Sequence, residues 1–412
     1  MFNAKSKNLD VINMKHQLTV ITLFICLFLG EIKTVNAQWV FTNGPTTKPV
    51  TCLLGGILTA AGAHDGIYLA SSNSWTSFNG ILTNPGVVAI AYDIDRSNVF
   101  IGTDHGKIYV AKNGSDWINI SPISAIVQIF SLASLSLGFN GIYTFAGTDG
   151  SFWRSTDIGT TWKELTPPVA QGIVTSIAVN GQNLLVVCQN TVSLSTDFGS
   201  SWTPANSGLP AHVLMLYAGI APDVYAGTDN GVYQTTNNGT TWKPINNGMT
   251  GKTITSIVTD GTNLYAGTPS DGIFFSPNNG AAWQAANTGL PTLKINALAV
   301  TIQQQVIAAT DANGVWSRSV LDFILNSVDD PNQNDINISV SPNPTTGIIT
   351  VHNSAENIQH ISVRNILGEN IIDLTKPNAS EFTLDLSKFP AGTYITTFVM
   401  PNSVITKKII RE

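Results

Sequence analysis

Charge is scarce in this chain: Asp, Glu, Lys and Arg make up 11% of its 412 residues, against about a quarter in ordinary soluble domains. A helical bundle laced by surface ion pairs is therefore a poor reading. Asp and Glu outnumber Lys and Arg by 26 to 20, so the basic footprint that nucleic acid requires is missing. Cysteine is rarer still. Cys26, Cys52 and Cys188 form no CxxC pair and no Cys/His cluster, which excludes a disulfide framework and a zinc site of the usual spacing. No cofactor and no metal are expected. Between Gln38 and Asp322 stand one glutamate, Glu164, and three arginines, Arg96, Arg154 and Arg318. The one long apolar run, Leu18–Gly30, is too short to span a bilayer comfortably, so no transmembrane segment is expected in the mature chain.

That run reads as a secretory signal. Lys5, Lys7, Lys15 and His16 precede it, and Val35-Asn36-Ala37 follows with the small residues a signal peptidase needs. Cleavage is expected between Ala37 and Gln38, making residues 1–37 the signal peptide, with Met14 an alternative start to Met1. Export permits a disulfide, but Cys52 and Cys188 fall in distant repeat units and are read as small buried residues.

What is abundant is repetition. Trp75, Trp117, Trp162, Trp202, Trp242 and Trp283 are spaced by 42, 45, 40, 40 and 41 residues. Each closes a unit of four short β-rich runs separated by turn residues, as in "VLMLYAG", "VYAGT", "VYQTT" and "WKPINNG". The first run occurs seven times, starting at Val50, Val87, Ile129, Val174, Val213, Ile254 and Ile295, with a mostly small third position suited to a crowded central axis. The last unit stops after its third strand. "QWVFTNG" at the mature N-terminus resembles "TWKPINNG" and supplies the fourth, with Trp39 in the repeat position. Closing the ring this way removes sheet edges. The fold predicted is all-β: a seven-bladed β-propeller over 38–322 with an N-terminal strand closing the last blade. An open solenoid would not need that strand.

The third-to-fourth turns carry Ser155-Thr-Asp157-Ile-Gly159-Thr-Thr-Trp162 and Ser195, Asp197, Gly199, Trp202; Asn237, Gly239, Trp242 and Asn278, Gly280, Trp283 repeat the pattern with Asn for Asp. This pattern resembles the Asp-box (BNR-like) repeat of sialidases, sortilin-like propellers and the photosystem II assembly factors. Asn can hold the turn but cannot serve as a catalytic carboxylate, so the box is read as structural. The resemblance implies that the box lies opposite the functional face, which would hold the second-to-third turns and the blade connections. There Asp65, Asp104, Asp149, Asp229, Asp271 and Asp311 recur, with His64 and His105 beside two of them. The ring could attract a cation or basic segment, or each Asp could simply stabilise its own hairpin.

The resemblance does not extend to sialidase chemistry. No Arg-Ile-Pro occurs, and the three arginines sit near turns of the other face. No catalytic residue is assigned. The expectation is a non-catalytic binding, adhesion or scaffold module, monomeric, with an unknown protein or glycan ligand. The alternative is a polysaccharide-active glycoside hydrolase of the Asp-box propeller type.

The pattern changes after a polar linker, 323–336. From Asn337 to Glu412 alternating runs suggest a small antiparallel, Ig-like β-sandwich. Pro342-Asn343-Pro344-Thr-Thr-Gly347, the turn around Gly368, "LDLSKFPAGTY" with Gly392, and Lys407-Lys408 near the end closely resemble the type A C-terminal sorting domain of the type IX secretion system. The resemblance implies passage through the type IX machinery after Sec export, and a secreted or outer-membrane cell-surface destination.

Overall fold

A computed structural model describes residues 38–412 apart from 46–47, 72–73, 84, 94, 96, 123–127, 138–140, 170, 312–313, 328–337, 354–357, 359, 366–369, 376–380 and 400–403. The expected signal segment with Ala37, and Arg96, Gly368 and most of the expected linker, lie outside the described residues.

Seven four-stranded antiparallel sheets follow one another along the chain. Six take their strands in sequence order, from Val50–Leu54 through Ser74–Ser77 in blade one to Ser256–Thr259 through Gln284–Ala285 in blade six. The seventh joins Ile295–Val300, Gln305–Thr310 and Val315–Ser319 to Val40–Phe41 from the other end of the chain, with Val40 opposite Ser317 and Phe41 opposite Trp316. First strands of successive blades touch all the way round, the seventh against the first. In each blade the first-to-second and third-to-fourth turns lie at one end, here the box face. The second-to-third turns and blade connections lie at the other, here the hairpin face. Both the Trp39 strand and the end of blade seven's third strand meet the box face.

Two sets of bonds join the blades. Near the axis, short polar side chains lace several first strands to the next. Thr51 donates to Val87 O, Ser131 to Val174 O at 3.0 Å, and Asn296 to Val50 O at 2.9 Å across the ring closure. The crowding there explains the small residues. A Cβ at Gly62 would sit 2.6 Å from Val87 Cγ1, and one at Gly102 2.5 Å from Ile129 Cγ2. These glycines are needed for close approach between blades.

Farther out, each repeat tryptophan reaches back to the preceding blade. The indole N–H of Trp117 donates to Phe78 O at 2.6 Å, Trp162 to Ile120 O at 2.6 Å and Trp202 to Thr166 O at 3.1 Å. Trp242 donates to Ala205 O at 2.8 Å, Trp283 to Ile245 O at 2.6 Å and Trp39 to Ala286 O at 2.7 Å. Trp75 completes the circle with Thr42 Oγ1, 2.9 Å away. Trp39, 2% exposed, thus occupies the place its sequence context predicts.

The expected end of the repeat at Asp322 falls inside a helix, α1 (Val320–Ser327). Its Phe323 is 1% exposed and lies 4.9 Å from the Tyr265 ring, 5.2 Å from Phe275 and 5.7 Å from Trp39. The Arg318 guanidinium stands 4.2 Å above the same ring. Phe323, assigned from sequence to the linker, therefore belongs to the propeller core. Eight residues give too short a stretch for helical period to show against a strand-rich background.

The C-terminal module has a three-stranded sheet (Ile338–Ser341, Ile348–Asn353, Glu381–Asp385) and a four-stranded one (Asn370–Thr375, His360–Asn365, Gly392–Val399, Val404–Arg411). Ile349, Val351 and Leu384 from the first meet Ile361, Val363, Phe398 and Ile409 from the second in one core. This is the expected antiparallel sandwich.

The tryptophan bonds generate a graded prediction. Trp242, 3% exposed with a buried indole bond, should cost about 3–5 kcal/mol when replaced by Ala. Trp202, whose bond is exposed and long at 3.1 Å, should cost clearly less. Urea unfolding of Trp242→Ala and Trp202→Ala, followed by far-UV circular dichroism, measures the order.

Candidate functional site

The boxes lie on the face opposite the aspartate hairpins. In blade three Ser155 Oγ donates to Asp157 Oδ1 at 2.8 Å and accepts from Gly159 N–H at 2.8 Å. Asp157 also accepts the N–H of Thr161 at 2.8 Å and its hydroxyl at 2.6 Å. Ser195, Asp197, Gly199 and Ser201 repeat these bonds. With Asn the amide reverses one of them: Asn237 Nδ2 donates to Thr241 Oγ1 at 2.9 Å, while Oδ1 still accepts from Thr241 N–H at 3.0 Å. Asn278 likewise accepts from Ala282 N–H at 2.9 Å. In each box the side-chain oxygen of the Asp or Asn is bonded within the turn.

One requirement of the box was missed. The residue before each glycine is also left-handed: Ile158 (φ 60°), Phe198 (57°), Asn238 (53°) and Asn279 (52°). Asn tolerates this region, whereas a β-branched or aromatic residue is strained there. Phe198 gains a compensating contact, stacked on Tyr143 of the preceding blade at 4.3 Å. Asn279 accepts from Tyr225 OH at 2.7 Å and borders a cleft of about 270 Å³ with Ile220, Asp223 and Thr262. Burial and Asp223 push the Tyr225 hydroxyl up to about 12. Arg154 and Arg318 both serve this side of the fold, Arg154 donating to Phe198 O at 2.8 Å.

On the hairpin face, the turns are held by residues the sequence reading passed over. Four residues after the repeat tryptophan stand Asn79, Asn206, Asn246 and Asn287. Their Oδ1 atoms accept from the first residue past the hairpin: Ile67 at 2.8 Å, Val192 at 2.5 Å, Val232 at 2.7 Å and Ile273 at 2.7 Å. Asn79 and Asn287 also donate to Asp65 O and Asp271 O at 3.1 and 3.0 Å. The amide sits where a Cβ of the hairpin glycine would be: 2.2 Å away at Gly272, which has φ +82°. The signal was present as a repeated Asn but was hidden in a chain rich in turn asparagines.

At Asp65, Asp229 and Asp271 the asparagine thus clamps the hairpin, and several of the six aspartates do something else. The connection entering a blade brings a basic side chain to that blade's aspartate. Lys294 Nζ lies 2.9 Å from Asp311 Oδ2, His212 Nδ1 lies 2.9 Å from Asp229 Oδ2, and Lys252 bonds Asp271. The Lys252 bond holds the Asp271 carboxyl below its usual range. In blade two the connection residue is Gly86, where a Cβ would strike Asp104 at 2.0 Å. Asp104 pairs instead with His105 beside it and with His64 of blade one's hairpin, 3.4 Å away. Asp65 heads blade one's hairpin, and Asp149 bridges to Ile173. Blade four turns on Gln189 and Asn190, both left-handed, as a two-residue hairpin requires. The result is a rim on which four of the six aspartates lie beside a Lys or His. Among the described residues no group of three or more His, Cys, Asp or Glu is placed to hold a metal.

In the sorting module the structure joins motifs that are far apart in sequence. Asn343 Nδ2 donates to Lys408 O at 2.7 Å, and Asn343 Oδ1 accepts from Ile410 N–H at 2.8 Å. Thr345 and Arg411 form a parallel bridge. Gly347 is packed so that a Cβ would lie 2.9 Å from Ser387. Pro342 and Pro344 flank Asn343, Lys407 pairs with Thr396, and Gly392 opens the strand opposite Arg411. Gly368 lies outside the described residues.

Comparison with known families agrees with this division. Residues 331–412 match the secretion system C-terminal sorting domain, beginning slightly before Asn337. Residues 139–247 match a DUF6242 β-propeller domain. No curated protein matches the sequence. Among solved structures, PorZ is similar: it is an essential bacterial surface component of the type IX secretion system of Porphyromonas gingivalis, 15% identical over 87% of this chain and 56% of that one, TM-score 0.51. This chain therefore spans little more than half the length of PorZ. YCF48 bound to D1 peptide is 11% identical over 68% and 95% of the two chains, TM-score 0.53. The WD40 propeller domain of Doa1 is 12% identical over 69% and 97%, TM-score 0.56. At such identities the likeness is one of fold. The chain is a β-propeller followed by a type IX sorting domain, and its route leads through the type IX machinery to the cell surface or beyond. No described helix is long and apolar enough to cross a membrane.

Two predictions follow from this geometry. Removing Asn337–Glu412 should strand the propeller in the periplasm, which cell fractionation with surface proteolysis will show. The second concerns acid. Bonds from Ser201 and Ser195 lower the Asp197 carboxyl to about 2. Partial burial opposes the same effect at Asp157, but the bonds from Thr161 and Ser155 outweigh it. A depressed native pKa stabilises fully above the unfolded value of about 3.9, and that contribution disappears as pH falls through the native value. Asp157→Asn with Asp197→Asn should therefore leave the melting temperature near neutrality little changed and flatten its fall between about pH 4 and pH 2. Melts across that range test it.

Proposed function

We propose that the exported propeller is a non-catalytic, monomeric binding module that engages a protein or glycan partner at the cell surface through its hairpin face. The observation that carries this reading is the pairing of that face's acids. A retaining or inverting glycosidase needs two carboxylates poised across a substrate bond, one of them protonated near neutrality. Here Asp229, Asp271 and Asp311 each meet a Lys or His from the adjoining connection, and Asp104 meets two histidines. Such pairs occupy these carboxylates with a neighbouring basic side chain. They also give a rim of adjoining acidic and basic side chains, which suits complementary polar contact with a macromolecule. YCF48, a propeller of similar fold, is a precedent in binding a peptide.

The test uses the mature chain from Gln38. Incubation with a panel of plant, algal and bacterial polysaccharides should release no reducing sugar. The labelled protein should be retained by outer-membrane vesicles of the producing cell. Lys252→Glu with Lys294→Glu should reduce that retention several-fold, while Asp197→Asn on the opposite face should not. Sugar release that vanishes in Asp229→Asn or Asp271→Asn would establish the hydrolase instead.

A further inference from the structure

The two ends of the sorting module converge. The opening motif, Pro342 to Gly347, lies beside the free edge of the terminal strand Val404–Arg411. That strand is the outermost of its sheet, paired on one side only, with Gly392–Val399. On its other side the backbone groups of residues 408–412 are taken up one after another. Lys408 O receives Asn343 Nδ2 at 2.7 Å, and Ile410 N–H goes to Asn343 Oδ1 at 2.8 Å. Ile410 O then receives Thr345 N–H at 2.8 Å, and Glu412 N–H goes to Thr345 O at 2.9 Å. The Asn343 amide, donor and acceptor at once, copies one rung of a β-ladder, and Thr345 makes the next.

Thr345 is itself fixed. It is 3% exposed, and its hydroxyl donates to Ile348 O at 3.0 Å and accepts from Gly347 N–H at 3.0 Å. Gly347 is pressed against Ser387, whose carbonyl receives Arg411 NH2 at 3.0 Å. The opening motif, the Ser387 corner and the last residues thus form one closed set of contacts. An unpaired strand edge would fray or add a foreign strand; this edge is closed from within the domain.

We propose that the export machinery recognises a composite surface, formed only when Asn343 latches the terminal strand and so sets the position of Lys408 and the chain end. Asn343 is a positioning residue in this account: it acts through the strand that it holds. The inference concerns export alone and is independent of what the propeller binds.

The experiment follows surface exposure of the full-length chain in the producing cell. Loss of two hydrogen bonds at the latch should lower exposure of Asn343→Ala about tenfold, with Asn343→Asp, which retains the acceptor, in between. The decisive measure is a double-mutant cycle with Lys408→Ala. On the composite reading the second change adds little once the latch is open. Two independently read peptide motifs would instead give effects that multiply. Rescue provides the control for misfolding. Thr345 and Arg411 are bridge partners, so Thr345→Cys with Arg411→Cys should form a cross-link in the oxidising periplasm and restore export to Asn343→Ala. Unchanged export in Asn343→Ala, multiplicative effects with Lys408→Ala, or a formed cross-link that leaves export impaired would each overturn the proposal.

Discussion

A single blade cannot stand alone. Its four short strands expose two apolar faces, and only a neighbour on each side can bury them. Everything in the propeller depends on making that seam seven times without a gap. The indole of each repeat tryptophan meets the need doubly, filling space between blades and donating its N–H across the seam. Near the axis hydroxyls and Asn296 do the same work where no large side chain fits. The last seam is the demanding one, since its strands come from opposite ends of the chain. Trp39, Thr42 and the Gly56–Thr301 bridge secure it, and Phe323 of α1 packs against it from outside the repeat.

Much of this was readable before any coordinates. The sevenfold first run fixed the blade count, and Asn237 and Asn278 pointed to the box acid as a turn-holder. What sequence alone could not convey was direction. Asp271 and Asp311 looked like members of one ring. Whether a side chain bonds its own turn or reaches toward Lys252 and Lys294 depends on the path of the incoming connection. The asparagines after the tryptophans were visible as letters, but in a chain full of turn asparagines nothing marked them as clamps. The left-handed backbone of Ile158 and Phe198 was equally hidden, because those residue types argue against it. Helix α1 escaped because its one decisive residue, Phe323, follows what reads as the end of a strand.

The sorting module shows the converse. Its motifs were recognisable by resemblance, but the contact between Asn343 and Lys408, 65 residues apart, is a property of folding that no local pattern reports. The same amide geometry that holds the propeller hairpins, one side-chain oxygen accepting and one nitrogen donating, reappears there on a strand edge. Two unrelated folds in one chain use asparagine as a substitute piece of backbone.

The path of the chain through the last blade also bears on how the molecule is displayed. Val40 starts at the box face and α1 departs from it, so the two described ends of the propeller share one face. The rim of paired Lys, His and Asp lies on the other face, away from both.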